Sequence, residues 1–306
     1  MKTTLLQLFL HLLLLFSLSP LLAGVIGKTK ALFAGRIGPP FLQLYFDIWK
    51  LISKRLVLSR TTTWIFRVGP VTGLVVPVLA ALLIPFGAIG APISFNGDLI
   101  FFVYLFGLSR FFIASSALDT GSAFEGMGAV REVTYSCLAE PTILLSFIVL
   151  ARLSGSLSLD AMFGQTLAAS WHTAAPSLLL ILACMFLVTL VENCRIPFDD
   201  PNTHLELTMI HEVMVLDHSG PDFGMILYGA AMKLFVLGAL VVGLLVPDTT
   251  GNMALDILLF TVCMLVLAVL VGVVESTIAR LRLIRIPQLL VGGMLLSFFS
   301  LILLLR

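Results

Sequence analysis

Apolar residues recur along this chain in runs of about 20, near positions 4–26, 68–89, 99–117, 133–153, 174–191, 225–246, 253–274 and 288–305. A helix of that length and character is what crosses roughly 30 Å of hydrocarbon. The pattern predicts an all-α polytopic membrane protein of about eight transmembrane helices, with 1–306 as a single integral membrane domain. Of the 306 residues 59% are hydrophobic and 11% charged, so each charge inside a span calls for a reason.

The charges between the runs predict the topology. Lys28, Lys30, Arg36, Lys50, Lys54, Arg55, Arg60 and Arg67 fill the first long loop, and such a basic loop stays on the inner side of a membrane. With it inside, Arg131, Arg195, Arg280, Arg282 and Arg285 also fall inside, whereas the segment 154–171 is almost free of Lys and Arg. Both termini are then outside, and the inner loops are 27–67, 118–132, 192–224 and 276–287, in the cell (inner) membrane. Lys2, the apolar core 5–16 and the stretch 17–24 imitate a secretory signal. The basic loop that follows resists translocation, so the segment reads as a first spanning helix.

Within the first loop, residues 41–55 alternate apolar and basic positions at helical spacing after Gly38-Pro39-Pro40. This predicts an amphipathic helix in the inner interface, with Trp49 and Leu51 towards lipid, as a membrane anchor or a docking surface. The second inner loop, 118–132, is glycine-rich and carries Asp119, Glu125, Arg131 and Glu132 without a phosphate-loop pattern. Tight turns holding charges against a partner are expected there. The third opens with Glu192, Arg195, Asp199, Asp200, His204 and Glu206 close together. Pro197 is expected to end the fifth helix. Asp200-Pro201 has the form of an N-cap with Pro in the first turn, predicting a short helix from 201 to about 216. His204, Thr208, His211 and Val215 would share one of its faces, and Leu205, Met209 and Glu212 another.

Several chemistries lack their residues. Cys137, Cys184, Cys194 and Cys263 form no C-x-x-C pair, so neither a cysteine-ligated iron–sulfur cluster nor a zinc ribbon has its ligands here. They read as polarisable packing residues. His204, Glu206, His211 and Glu212 lack the H-E-x-x-H spacing of a metalloprotease, so no metal is expected. There is no nucleophile elbow and no basic-aromatic stripe for nucleic acid. What stands out instead is Glu140, Glu192, Lys233 and Glu275, each within or at the end of a spanning run, where an ionisable group marks an ion path by default. The plainer reading is pairing, of Glu192 with Arg195 or of Lys233 with one of the acids.

These residues resemble a known family, the membrane subunit shared by respiratory complex I (its subunit 1) and energy-converting nickel–iron hydrogenases, including formate hydrogenlyase. Gly35-Arg36-Ile37-Gly38-Pro39 with Gln43, Asp47 and Lys50-Leu51 is similar to its first-loop motif, and Gly128-Ala129-Val130-Arg131-Glu132 with Glu140 to its second. Glu192, Arg195, Pro197-Phe198-Asp199, Glu206-Leu207 and Asp217-His218-Ser219-Gly220 are similar to its third. Complex I members usually carry three acids where this chain has Asn202, His204 and Glu206, and Thr208-Met209-Ile210-His211-Glu212 looks more like the hydrogenase branch.

The resemblance implies a non-catalytic anchor that docks an electron-transfer arm and couples electron flow to proton or sodium translocation. It implies no cofactor on this chain, with iron–sulfur clusters and a nickel–iron centre on soluble large and small subunits, and antiporter-like membrane subunits beside it in the lipid bilayer. Glu140, Glu192, Lys233 and Glu275 would form the path. Arg36, Asp47, Asp119, Arg131, Glu132, Arg195, Asp199, Asp200, His204, Glu206, His211, Glu212 and Asp217 would form the inner entrance and the coupling surface. The alternatives are a quinone-reducing complex I subunit, and a stand-alone ion-coupled transporter, which the lack of an evident inverted repeat disfavours.

Overall fold

The computed structural model describes residues 2–199, 210–246, 252–279 and 281–305. The helices are α1 (Lys2–Phe33), α2 (Gln43–Ile52), α3 (Trp64–Ala81), α4 (Asp98–Asp119), α5 (Ala123–Ser154), α6 (Leu159–Met162), α7 (Gln165–Thr173), α8 (Ala175–Glu192), α9 (Gly220–Leu245), α10 (Met253–Thr277) and α11 (Ile286–Leu305). Short 3₁₀ turns at Glu212–Val215 and Leu283–Arg285 precede α9 and α11. Among the described residues there is no strand, and eight helices are long and apolar enough to cross a membrane: α1, α3, α4, α5, α8, α9, α10 and α11. The chain is a multi-pass membrane protein.

α9 lies at the centre, packed on α1, α2, α3, α8 and α10. Its approach to α3 depends on Gly229, where a Cβ would run into the Gly73 carbonyl. Small residues at such crossings bring helix backbones together where no hydrophobic force separates protein from lipid. Phe86, Phe235 and Phe260 form an aromatic core beside α9, with the ring pairs 5.0, 5.6 and 6.1 Å apart.

Several expectations need correction. The second spanning helix ends at Ala81 rather than near 89. Pro85 cannot donate a hydrogen bond to the Ala81 carbonyl and would clash with it. His11 Nε2 lies 2.8 Å from that carbonyl oxygen and its ring stacks on Phe86. The segment remains apolar because it folds into the interior as a turn: Leu83, Ile84, Phe86 and Ile89 are buried.

The loop expected at 118–132 is helical from Ala123 onward, so Glu125, Arg131 and Glu132 sit on the first turns of α5. Helix α8 stops at Glu192, five residues before Pro197. Arg195 N–H bonds to the Leu190 carbonyl and Cys194 N–H to that of Val191, with Cys194 at φ 48°. This is a Schellman cap, so the termination is made by backbone bonding and not by the proline. Of the short helix expected from 201 to 216, residues 201–209 lie outside the described residues, and the described remainder contains the 3₁₀ turn Glu212–Val215.

The amphipathic α2 forms, shorter than the 41–55 segment. Trp49 and Leu51 do not share a face: Trp49 is exposed, whereas Leu51 meets Gly224 of α9.

Loops gather at two ends of the bundle. At one, Thr63 donates through its backbone N–H (2.6 Å) and hydroxyl (3.0 Å) to Asp119, Asp217 N–H donates to Glu125 (3.0 Å), and Leu281 N–H donates to the Pro197 carbonyl (2.9 Å). At the other, Asp98 accepts from the Ser158 hydroxyl and Leu159 N–H, and Asp160 from Ala91 N–H. The first end collects the basic loops.

Candidate functional site

Four spanning helices contribute one charged side chain each to a continuous row. Arg110 of α4 stands in the middle. Its Nη1 pairs with Glu140 of α5, and its Nη2 lies 2.9 Å from Glu192 at the last turn of α8. Lys233 of α9 completes the row with Nζ 2.8 Å from Glu192, and also lies over the Phe106 ring at 5.9 Å. Glu192 therefore receives two cations, and its side chain is 7% exposed, against 38% for Glu140. The row runs from a buried acid to one on the bundle's surface in the middle of α5. Opposite charges in a low-dielectric interior repay their desolvation only when geometry and hydrogen bonds are good. The paired oxygens of Glu192 meet that condition.

A second group forms where α1, α10 and the turn after α8 meet. Glu275 accepts Lys30 at 2.9 Å and Arg195 at 3.4 Å. The expected residues are thus divided. Glu140, Glu192 and Lys233 share the row, whereas Glu275 joins Lys30 and Arg195, and Glu192 pairs with Arg110 instead of Arg195.

A third group lies below the row. Glu132, Cys194 and His211 bring one ligand atom each within 4.8 Å of one another. The Cys194 Sγ lies 3.4 Å from Glu132 Oε2. Burial is the main cause raising the Cys194 thiol pKa, and Glu132 adds to it. Burial also holds His211 below its ordinary value. Asp199 fixes the segment that carries His211 by accepting the N–H groups of Ile210 (2.8 Å) and His211 (3.4 Å). Gly128 of α5 makes room for that segment, since a Cβ there would lie 2.6 Å from Val213 and 2.9 Å from the Ile210 carbonyl.

Two adjoining cavities reach these groups. One of about 60 Å³ is lined by Arg110, Glu132, Glu192, Cys194, His211 and Lys233 among others. A second, of about 190 Å³, lies between α1, α2 and α9, with Ala23, Leu44, Arg195, Asp199, Glu212, Phe223 and Leu227 on its walls.

The other expected residues are dispersed. Asp119 caps α3 through Thr63. Asp47 accepts from Gln43 within α2 (2.9 Å). Arg36 N–H closes the Schellman cap of α1 by bonding to Ala31. Arg131 is on α5, and Asp217 is exposed in the turn before α9. Asp200, His204 and Glu206 lie outside the described residues.

Sequence reasoning misses Arg110 and Lys30. Arg110 interrupts the apolar run 99–117, and the rule that singles out the other intramembrane charges applies to it equally. Lys30 falls in the loop by sequence because the run ends at 26, but α1 continues to Phe33. Cys194 reads as a packing residue, and nothing in its local sequence announces its neighbours.

The row, the basic end and the amphipathic α2 define a multi-pass membrane protein with charged groups inside its bundle. Residues 5–305 match the family model described as NADH dehydrogenase, and the chain belongs to that family. It is 33% identical over 294 residues to formate hydrogenlyase subunit 4 of Escherichia coli, covering 94% of each chain. To hydrogenase-4 component C of the same organism it is 34% identical over 279 residues, covering 89% of this chain and 87% of the relative. An NADH-quinone oxidoreductase subunit of Syntrophotalea carbinolica is 28% identical over 257 residues, with 79% and 74% covered. A chain of the membrane-bound sulfane sulfur reductase, an archaeal respiratory membrane complex, shares the fold, with a TM-score of 0.81, 22% identity and 98% and 99% coverage.

Proposed function

We propose that this chain is the membrane anchor of a multisubunit hydrogenase-type redox complex and couples electron flow to proton or sodium movement. The single observation that carries the coupling is the Glu140–Arg110–Glu192–Lys233 row, since four helices each place a charge at membrane depth, and such groups mark ion pathways. The hydrogenase assignment rests on the two relatives above 30% identity, named as subunits of formate hydrogenlyase and hydrogenase-4. As in a multisubunit assembly of that kind, redox cofactors would sit on partner subunits: iron–sulfur clusters and a nickel–iron centre on soluble large and small subunits docked at the basic end. Antiporter-like membrane subunits would meet the exposed flank of Glu140. The basic end would face the inside of the cell membrane and both termini the outside. The decisive experiment replaces Glu192 with Gln in the assembled complex. Loss of ion movement per electron, with electron transfer and assembly retained, is expected, and unchanged pumping would remove Glu192 from the path.

A second reading is favoured by the cavity beside α2, where Ala23, Leu44, Phe223 and Leu227 give apolar walls and Arg195, Asp199, His211 and Glu212 supply polar groups, a lining that suits a hydrophobic ligand with a polar head. In a quinone-reducing complex that cavity would admit the quinone. Reduction of quinone by the purified complex, with no hydrogenase activity, selects this reading over the first.

A further inference from the structure

We infer that Glu132, Cys194 and His211 form a binding site for one thiophilic divalent cation of the zinc type. The three residues lie far apart in sequence, so no contiguous metal motif records them, but the fold brings their ligand atoms within 4.8 Å of one another. Zn–N, Zn–O and Zn–S bonds of about 2.0 to 2.3 Å in a tetrahedron set donor atoms roughly 3.3 to 3.8 Å apart. The Cys194 Sγ to Glu132 Oε2 distance, 3.4 Å, already falls in that range.

The backbone gives a second, independent observation. Helices α1 and α8 end in the same Schellman cap, and the left-handed position is Gly35 (φ 64°) in α1 and Cys194 (φ 48°) in α8. Glycine is the residue that takes this conformation without strain. In α8 the position instead carries a thiol whose sulfur faces Glu132, and Cys194 lines the first cavity. Backbone strain of this kind clusters at functional sites.

The charges also suit a dication. When it binds, the Cys194 S–H proton leaves to solvent and a sulfur–metal bond forms. Thiolate and the Glu132 carboxylate then balance the two positive charges, and neutral His211 adds none. Lys233, the nearby ammonium, is engaged by Glu192. A water from the cavity would supply the fourth ligand. Thiolate with imidazole selects zinc-like ions over magnesium or calcium. The bound ion would tie α5, the cap of α8 and the segment before the 3₁₀ turn together.

The test uses the full chain purified in detergent and titrated with Co²⁺. One equivalent should bind with a sulfur-to-cobalt charge-transfer band in the near ultraviolet, and Zn²⁺ should displace it. Cys194→Gly places the residue that suits the left-handed φ, so it should fold at least as well and lose the band, separating loss of a ligand from loss of the fold. His211→Asn should weaken binding by about tenfold or more, and Cys263→Ser should change nothing. Absence of the band in the unaltered chain, or its survival in Cys194→Gly, overturns the site.

Discussion

The Nη2 of Arg110 lies 2.9 Å from one carboxylate oxygen of Glu192 and 3.1 Å from the other, joining α4 to α8. Arg110→Ala leaves Glu140 without this cation and Glu192 with Lys233 alone. Stranding buried charges in this way costs about 3–5 kcal/mol. The melting temperature in detergent should fall sharply, and Arg110→Lys should recover only part of it, since one ammonium does not reproduce the two-sided guanidinium contact. A melting temperature unchanged by Arg110→Ala would contradict the row.

Glu275 has two cations, Lys30 and Arg195. Removing either leaves the other, so Lys30→Ala and Arg195→Ala should each cost little, about 1 kcal/mol. The double variant should cost clearly more than the sum, with a coupling of about 0.5–3 kcal/mol. Additive losses in a double-mutant cycle would show that the two cations act separately.

His218 stacks on Phe66 at 4.0 Å and its Nε2 lies 3.1 Å from the Ser116 hydroxyl. Burial lowers its pKa to about 4. The unfolded chain takes up this proton near pH 6.5 and the folded chain only near 4. The contribution to stability is therefore complete above 6.5 and declines as pH falls towards 4, by up to about 3 kcal/mol. Denaturant or thermal titration over that range should show the decline, and His218→Phe should flatten it.

Asp199 accepts two backbone N–H groups at residues 210 and 211. Asp199→Ala should leave them without this acceptor at a cost of about 1–3 kcal/mol each if they stay buried. Hydrogen exchange over 210–216 should accelerate while α9 stays protected. Unaltered exchange there would show that another contact holds the segment.

A bulky residue at Gly229 should separate α3 from α9, because no side chain fits between its Cα and the Gly73 carbonyl. Gly229→Val is expected to abolish a folded, monodisperse protein in detergent, beyond the usual cost of overpacking, about 1–3 kcal/mol. Gly292, which faces open space, should tolerate the same change.

The spans were legible because length and hydropathy alone set them, and the basic loops gathered at one end as their composition predicted. The end of α3 was not, since Leu83, Ile84 and Phe86 are apolar for burial in a turn and look like more helix. Pro85 was the available signal. Glu140, Glu192 and Lys233 stand out by their cost in an apolar run, and Lys233 pairs with one of the acids, Glu192, as expected, but the shared partner Arg110 was not foreseen. Pairing is a property of helix neighbours, and Arg110 is 82 residues from Glu192 in sequence. The Glu132–Cys194–His211 group was invisible for the same reason.

Arginine keeps its proton at any pH a cell experiences. Arg110 can hold Glu140 and Glu192 in line, but it cannot receive a proton from one and hand it to the other. Traffic between the two acids must go around the guanidinium through water, or wait until it swings aside. The contact that makes the row stable is therefore also its insulation, and in the proposed path a proton would pass between the two acids only by way of water around that side chain or in the moments when it lets go.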